Sequence, residues 1–363
     1  MLVVSMFVVL SPAGGDVLAG EVLVFRGSSD ASAAVAVGED MFVVADDENN
    51  ILRIYETGKA GQPVGSFDMT SFLGIEPDNP EADIEAAAII GQRIYWITSH
   101  GRNKDGKLRP NRYRFFATDL LVEKRSVKLR PVGKPCETLV HELLKTNAAR
   151  RLGLDKATRF GADLKKKDRE KLAPKKNGLN IEGLCASADG GTLYFGLRNP
   201  RPKDVQNGRA KAIVVPLLNP NLVIEKGEAP VFGEPILWDL KGLGIRSMEY
   251  SSFNKTCFVI AGGPDEDEGF ALYRWSGKPE SEPEMERELS LGKSKFSPEA
   301  LIPFEKSGRL LIISDDGSLL VKVAGAWECL EGEYLKDGTC LNKYLANPDR
   351  KTFRGIWLEL DGR

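Results

Sequence analysis

Residues 83–101 read DIEAAAIIGQRIYWITSHG. An acidic start (Asp83, Glu85) runs into a strand of small residues, Ala86 to Ile90, and a Gly91-Gln92 turn. A second strand follows, Ile94 to Thr98, and ends in the polar pair Ser99-His100. Alternation on both sides of a glycine turn is the pattern of a β-hairpin. The unit recurs. Asn180-Ile181-Glu182-Gly183-Leu184 leads to LYFGLRN at 193–199, and Ser247-Met248-Glu249-Tyr250 leads to CFVIAGG at 257–263. Ser297-Pro298-Glu299-Ala300-Leu301 leads to LLIISDD at 310–316. A first copy, Ser32-Ala33-Ala34-Val35 followed by MFVVADD at 41–47, has serine in place of glutamate.

With anchors at 32, 85, 182, 249 and 299, the intervals are 53, 97, 67 and 50 residues. Strand-only repeats of roughly 40–50 residues are propeller blades. A small twisted sheet cannot bury both faces alone, whereas blades packed radially can, and closing the ring protects their edges. The expected fold is an all-β propeller with five countable blades, a worn sixth fitting across 101–178. Outer strands precede the later anchors (PVGSFDM, PILWDL, ERELSL), but EVLVFRG at 21–27 has no blade of its own. It is expected to join FRGIWLEL (353–360) in the last blade, with LLVKV an excursion before it, so that both chain ends close the ring.

The long interval contains ETLVHELLKTNAARRLGLDK and GADLKKKDREKLAP, whose spacing is helical rather than alternating. A small helical insertion is therefore expected at 136–178, with Leu139, Leu143 and Leu144 on one stripe. It is a candidate surface for a protein partner. Residues 1–20 read as a leader or disordered start, and 21–363 as one domain. An apolar run of ten without a positive start places the protein outside the cytoplasm if it is a signal peptide and inside it otherwise. No stretch reaches transmembrane length. Cys329 and Cys340 flank a loop and can pair if the protein is exported.

Net charge is −2 and no basic stripe is interleaved with aromatics, which argues against nucleic acid as a partner. Two histidines, His100 and His141, rule out any three-histidine site. His141 reads as a partly exposed helix residue. There is no G-x-S-x-G elbow, no H-E-x-x-H, and GGPDEDEG lacks the lysine of a phosphate loop.

At this level the chain resembles a bacterial family catalogued as domain of unknown function 3616. The resemblance rests on DASAAVAVGEDMFVVADDENNILRIYE, DIEAAA, NIEGLC, SDDG and FRGIWLEL. More distantly, the glutamate hairpins are similar to those of six-bladed phytase-like and quorum-regulator-associated propellers. That similarity implies the fold and a divalent ion in the channel mouth. The chain departs from their denser acidic clusters at Ser32 and Gly262-Gly263.

In each hairpin the glutamate opens the inner strand and the polar pair ends its antiparallel neighbour, so both sit at one end of the blade. Radial repetition is then expected to gather Glu85, Glu182, Glu249 and Glu299 at one channel mouth, as candidate ligands for a cation such as Ca2+. Ser99, Asp46, Asp315, Arg198 and Asn199 join them as candidate ligand-binding residues, with Asp47 and Asp316 alongside. His100, Glu182 and Glu249 are the candidate catalytic residues.

Crowded carboxylates raise one another's pKa and need compensation. A cation, the arginines Arg102, Arg109, Arg112, Arg198 and Arg201, or backbone N–H groups of a neighbouring blade can supply it. The functional expectation is a propeller whose acidic mouth binds a small molecule, peptide or metal ion. The alternative is a calcium-assisted hydrolase of a phosphate ester or lactone.

Overall fold

A computed structural model describes residues 21–123, 126–205, 207–263, 269–289 and 295–360. The start at 1–20 and most of the acidic stretch 263–269 lie outside the described residues. Five four-stranded antiparallel sheets form the blades of a propeller. In the first four, chain order runs from the inner strand outward. Blade one begins with Ala31–Val37, blade two with Ile84–Ile90, blade three with Asn180–Ala186 and blade four with Gly244–Ser251. Blade five begins with Pro298–Phe304 and Ser307–Ser314, then takes Thr352–Leu358 and finally Val22–Arg26 from the other end of the chain. The last strand is in register from Val22 opposite Ile356 to Arg26 opposite Thr352. The ring closes as the orphan strand at 21–27 required.

No sixth four-stranded blade exists among the described residues. The stretch 101–178 instead supplies the outer two strands of blade two, Phe115–Glu123 and Ser126–Cys136, and then four short helices between Leu139 and Glu170. Leu139 and Leu143 are buried in the apolar cluster shared by blades two and three, together with Val140, Ala149 and Leu154. The insertion's apolar stripe is thus spent on the propeller, and a partner could meet only its polar outer face.

Burial follows the repeat. Five apolar clusters form, each wedged between two neighbouring blades, and the inner strands touch in sequence around the ring. The cluster that seals the ring joins blade five to blade one through Phe25, Phe42, Tyr55 and Phe353. Phe25 and Phe353 stack at 5.1 Å, and Phe42 meets Phe25 edge-on at 5.2 Å. Hydrophobic burial at this seam, rather than the edge ladder alone, holds the first strand in place. A sixth cluster holds a separate excursion of blade five, the hairpin Leu320–Lys322 with Thr339–Leu341, around Cys329, Cys340 and Leu345. Both cysteines are free thiols there.

Phe25→Ala removes a fully buried ring from the closing seam and is expected to cost about 3–5 kcal/mol in chemical denaturation. Val22→Ala, at a half-exposed site on the same strand, should change stability by less than about 1 kcal/mol.

Candidate functional site

Every inner strand drops one residue from its ladder. In blade two Ile84 faces Thr98 and Ala86 faces Ile97, which leaves Glu85 between them. The same shift leaves out Ser32, Glu182, Arg246 and Glu299 in the other blades. A bulge re-aims the side chain that is left out, and all five of these line a single cavity of about 570 Å³.

Blade four corrects the sequence reading. Its counterpart of the glutamates is Arg246, three residues before Glu249. Glu249 lies further along the strand opposite Phe258, buried and away from the cavity, where burial pushes its carboxyl well above the usual range. Among the described residues its Oε1 accepts only the neighbouring Tyr250 N–H, at 3.0 Å. The signal for Arg246 was present. Ile84-Glu85-Ala86, Ile181-Glu182-Gly183 and Ile245-Arg246-Ser247 share an apolar–charged–small pattern, and anchoring at 246 makes the last two intervals 64 and 53.

The substitution changes the electrostatics. Arg246 ion-pairs with Glu299 across one blade boundary and lies 3.3 Å from Glu182 Oε2 across the other. Arg198 Nη1 donates to Glu182 Oε1 at 2.9 Å, and Asn180 Nδ2 donates to the same oxygen at 2.6 Å. Glu182 and Glu299 are therefore compensated by guanidinium groups rather than by backbone N–H caps. Blades one and two are tied differently, by the Ser32 hydroxyl donating to the Ile84 carbonyl.

The opposite wall is compensated only in part, by Arg112. One oxygen each from Asp47, Asp83 and Glu85 lies within 4.8 Å of the others. Asp83 pairs with Arg112 Nη1 at 2.9 Å. Asp47 Oδ1 is buried with no hydrogen-bond partner, and among the described residues the Glu85 carboxylate has no hydrogen bond or ion pair. Burial first, and then mutual repulsion, pushes the carboxyls of Asp47, Glu85 and nearby Asp30 well above the usual range.

The remaining sequence candidates divide. Arg198 and Asp315 line the cavity; Ser99, Asn199, Asp46 and His100 do not. Asp46 accepts from the Ser28 hydroxyl at 2.6 Å and the Glu48 N–H at 3.0 Å, and so holds the turn. Ser99 Oγ accepts the Gly101 N–H, and Asn199 Nδ2 donates to the Pro174 carbonyl. Asp316 is taken by Arg354 at 2.6 Å. Arg102 and Arg201 point their guanidinium groups at backbone carbonyls.

His100 is fully buried against Tyr113, with Nδ1 2.9 Å from the Thr98 carbonyl, and burial lowers its pKa to about 4. It is not placed to act as a base on a ligand in this cavity. His141 is exposed and stacks on Phe160 at 4.2 Å. Sequence reasoning missed Lys104, Lys175, Lys176 and Lys343, which reach the cavity from excursions with no repeat pattern to predict them.

Nine carboxylate and eight cationic side chains line the cavity, so its charge is mixed and divided between walls rather than uniformly acidic.

The chain matches the family described as "Protein of unknown function (DUF3616)" over residues 30–316. No curated protein matches it by sequence. Among solved structures, it is similar to the PQQ-bound aldose sugar dehydrogenase of Streptomyces coelicolor, with 10% identity and a TM-score of 0.39, covering 95% of this chain and 100% of that one. It is also similar to the glutaminyl cyclase of Myxococcus xanthus, with 11% identity and a TM-score of 0.41, covering 94% and 96%. No residue role is carried over from either.

Two outcomes follow from the geometry. Arg246→Met strands the Glu299 carboxylate and leaves Glu182 with Arg198 alone as its cation, and should cost about 3–5 kcal/mol in denaturant titrations. Adding Glu299→Gln to that variant should restore most of the loss, since Glu182 still answers Arg198. His100 stays neutral in the fold but takes up a proton when unfolded below its ordinary value of 6.5. Its contribution is therefore intact above that pH and lost as pH falls from 6.5 through about 4, by on the order of 3 kcal/mol. In His100→Asn, which tolerates the left-handed backbone at this position, denaturation midpoints should fall less steeply over that window.

Proposed function

The chain belongs to the DUF3616 family, and from that premise we propose a ligand-binding propeller whose mouth takes a divalent cation between Asp47, Asp83 and Glu85. The observation that carries this reading is the under-compensated wall: one oxygen each from three carboxylates within 4.8 Å of one another, with Arg112 paired to Asp83, Asp47 Oδ1 without a hydrogen-bond partner, and Glu85 without hydrogen bond or ion pair among the described residues. Groups so placed must either hold protons or hold a cation. Carboxylate oxygens at variable angles suit calcium, which accepts six to eight oxygen ligands, better than a metal that demands nitrogen or sulfur. Glu182 and Glu299 are engaged by Arg246 and Arg198, so of the four glutamates expected from the repeat only Glu85 belongs to the proposed cation set.

Binding is favoured over hydrolysis. A calcium-assisted hydrolase needs a base beside the cation, and of the three residues expected to be catalytic His100 and Glu249 do not line the cavity while Glu182 is held by Arg198 and Arg246. The cation's role in the proposed function is to hold a small ligand that enters from the loop side.

Calorimetric titration of metal-stripped protein with calcium should give saturable heat at one site. Asp47→Asn and Glu85→Gln should each weaken the affinity at least tenfold, and Glu249→Gln, away from the cavity, should leave it unchanged. Absence of saturable heat in the parent, or equal affinity in all variants, would refute the reading.

A further inference from the structure

We infer that the ligand of this mouth is a small-molecule anion bearing at least two negative charges, held between the floor cation and a cationic lid. This rests on the cation reading above. The observation is that three segments outside the blades add a one-sided set of charges to a cavity whose blades contribute carboxylates together with Arg198 and Arg246. The bulge positions and hairpin ends of blades one and two bring carboxylates. The loop ahead of blade two adds Glu81 to these, and three later excursions also reach the cavity: the loop 101–112, the end of the helical insertion, and the blade-five hairpin region. Every charged side chain they place there is positive, namely Lys104, Arg109 and Arg112, then Lys175 and Lys176, then Lys343. The chain as a whole has 50 basic and 52 acidic residues, so this one-sided set does not mirror its composition.

Some of these charges are used within the protein: Arg112 pairs with Glu81 and Asp83, and Lys343 with Glu48. Lys104, Arg109 and Lys176 pair with no carboxylate among the described residues. A solvated loop surface would account for such lysines if the loops were loosely attached, but they are braced. The Arg102 guanidinium joins the loop to the insertion by donating to the Thr158 carbonyl at 2.9 Å and the Arg159 carbonyl at 3.1 Å. Arg169 Nε donates back to the Asp105 carbonyl at 3.3 Å. Gly106, at φ +71°, packs so closely that a Cβ there would lie 1.9 Å from the Arg169 carbonyl oxygen. Asn199 pins the insertion's end beside the cavity through the Pro174 carbonyl at 2.7 Å.

A lid held in place, positive on its cavity side and facing a cation-bearing floor, selects an anion with one charged group for each side. A neutral ligand would leave the lid charges unanswered, and a monoanion would answer one side only. About 570 Å³ is ample for such a molecule. Exposed lysines at the rim would also speed capture at low ionic strength.

The test titrates calcium-loaded full-length protein with sn-glycerol 3-phosphate and with succinate, in parallel with the Lys104→Ala/Arg109→Ala/Lys176→Ala variant, all in low salt. At least one probe should bind the parent, lose at least tenfold in affinity in the triple variant and weaken with added salt, while the variant still takes up calcium. The probe that binds separates a phosphate ester from a dicarboxylate. Calcium heat without heat from either anion, or anion affinity equal in parent and variant, would overturn the inference and leave the cation reading standing. If calcium gives no heat, the cation reading fails. The lid inference then stands if anion binding to the parent disappears in the variant, and falls if it does not.

Discussion

Each blade leaves one residue of its innermost strand outside the ladder, and where those five side chains go determines the rest of the site. A bulge near the end of an inner strand turns its residue toward the cavity, and five-fold repetition brings the five side chains together. Five carboxylates would repel one another there. The chain instead places serine in blade one and arginine in blade four, and Arg246 bridges the glutamates on either side of it. Half the ring is thereby internally neutralised. The other half, at blades one and two, keeps Asp47, Asp83 and Glu85 with little beside Arg112 to offset them. Within one nearly symmetric ring, that asymmetry is the basis on which the cation is proposed there.

The ring itself was legible because its physics is periodic. Strand alternation, turn glycines and the orphan strand at 21–27 report local constraints, and these led to five sheets closed by both chain ends. The blade-four anchor was misplaced because a glutamate was used as the marker, whereas the structural requirement is a bulge. A bulge fixes the backbone and the small residue after it and leaves the protruding side chain free, so Ile245-Arg246-Ser247 satisfies the repeat without a glutamate. His100 was misassigned for a related reason. It follows the strand end as expected, but its backbone is left-handed and its ring packs against Tyr113 rather than lining the cavity.

The lid residues were hidden more deeply. Lys104, Lys176 and Lys343 come from loops, a helical insertion and a hairpin excursion, whose positions depend on long-range contacts such as Arg102 with Thr158. No periodicity links them, so only the folded arrangement reveals that they converge. The insertion, which the sequence suggested as a partner surface, turns its apolar stripe to the blades and its C-terminal end to the cavity. The repeat builds the floor, and departures from the repeat build what covers it.

The most direct measurement is anomalous diffraction from crystals of the full-length protein grown with manganese, which scatters anomalously and takes oxygen ligands as calcium does. The account predicts a single strong peak bounded by the carboxylates of Asp47, Asp83 and Glu85. Well-ordered carboxylates with no peak among them, or with a lysine or an arginine other than Arg112 turned in to neutralise them, would contradict it.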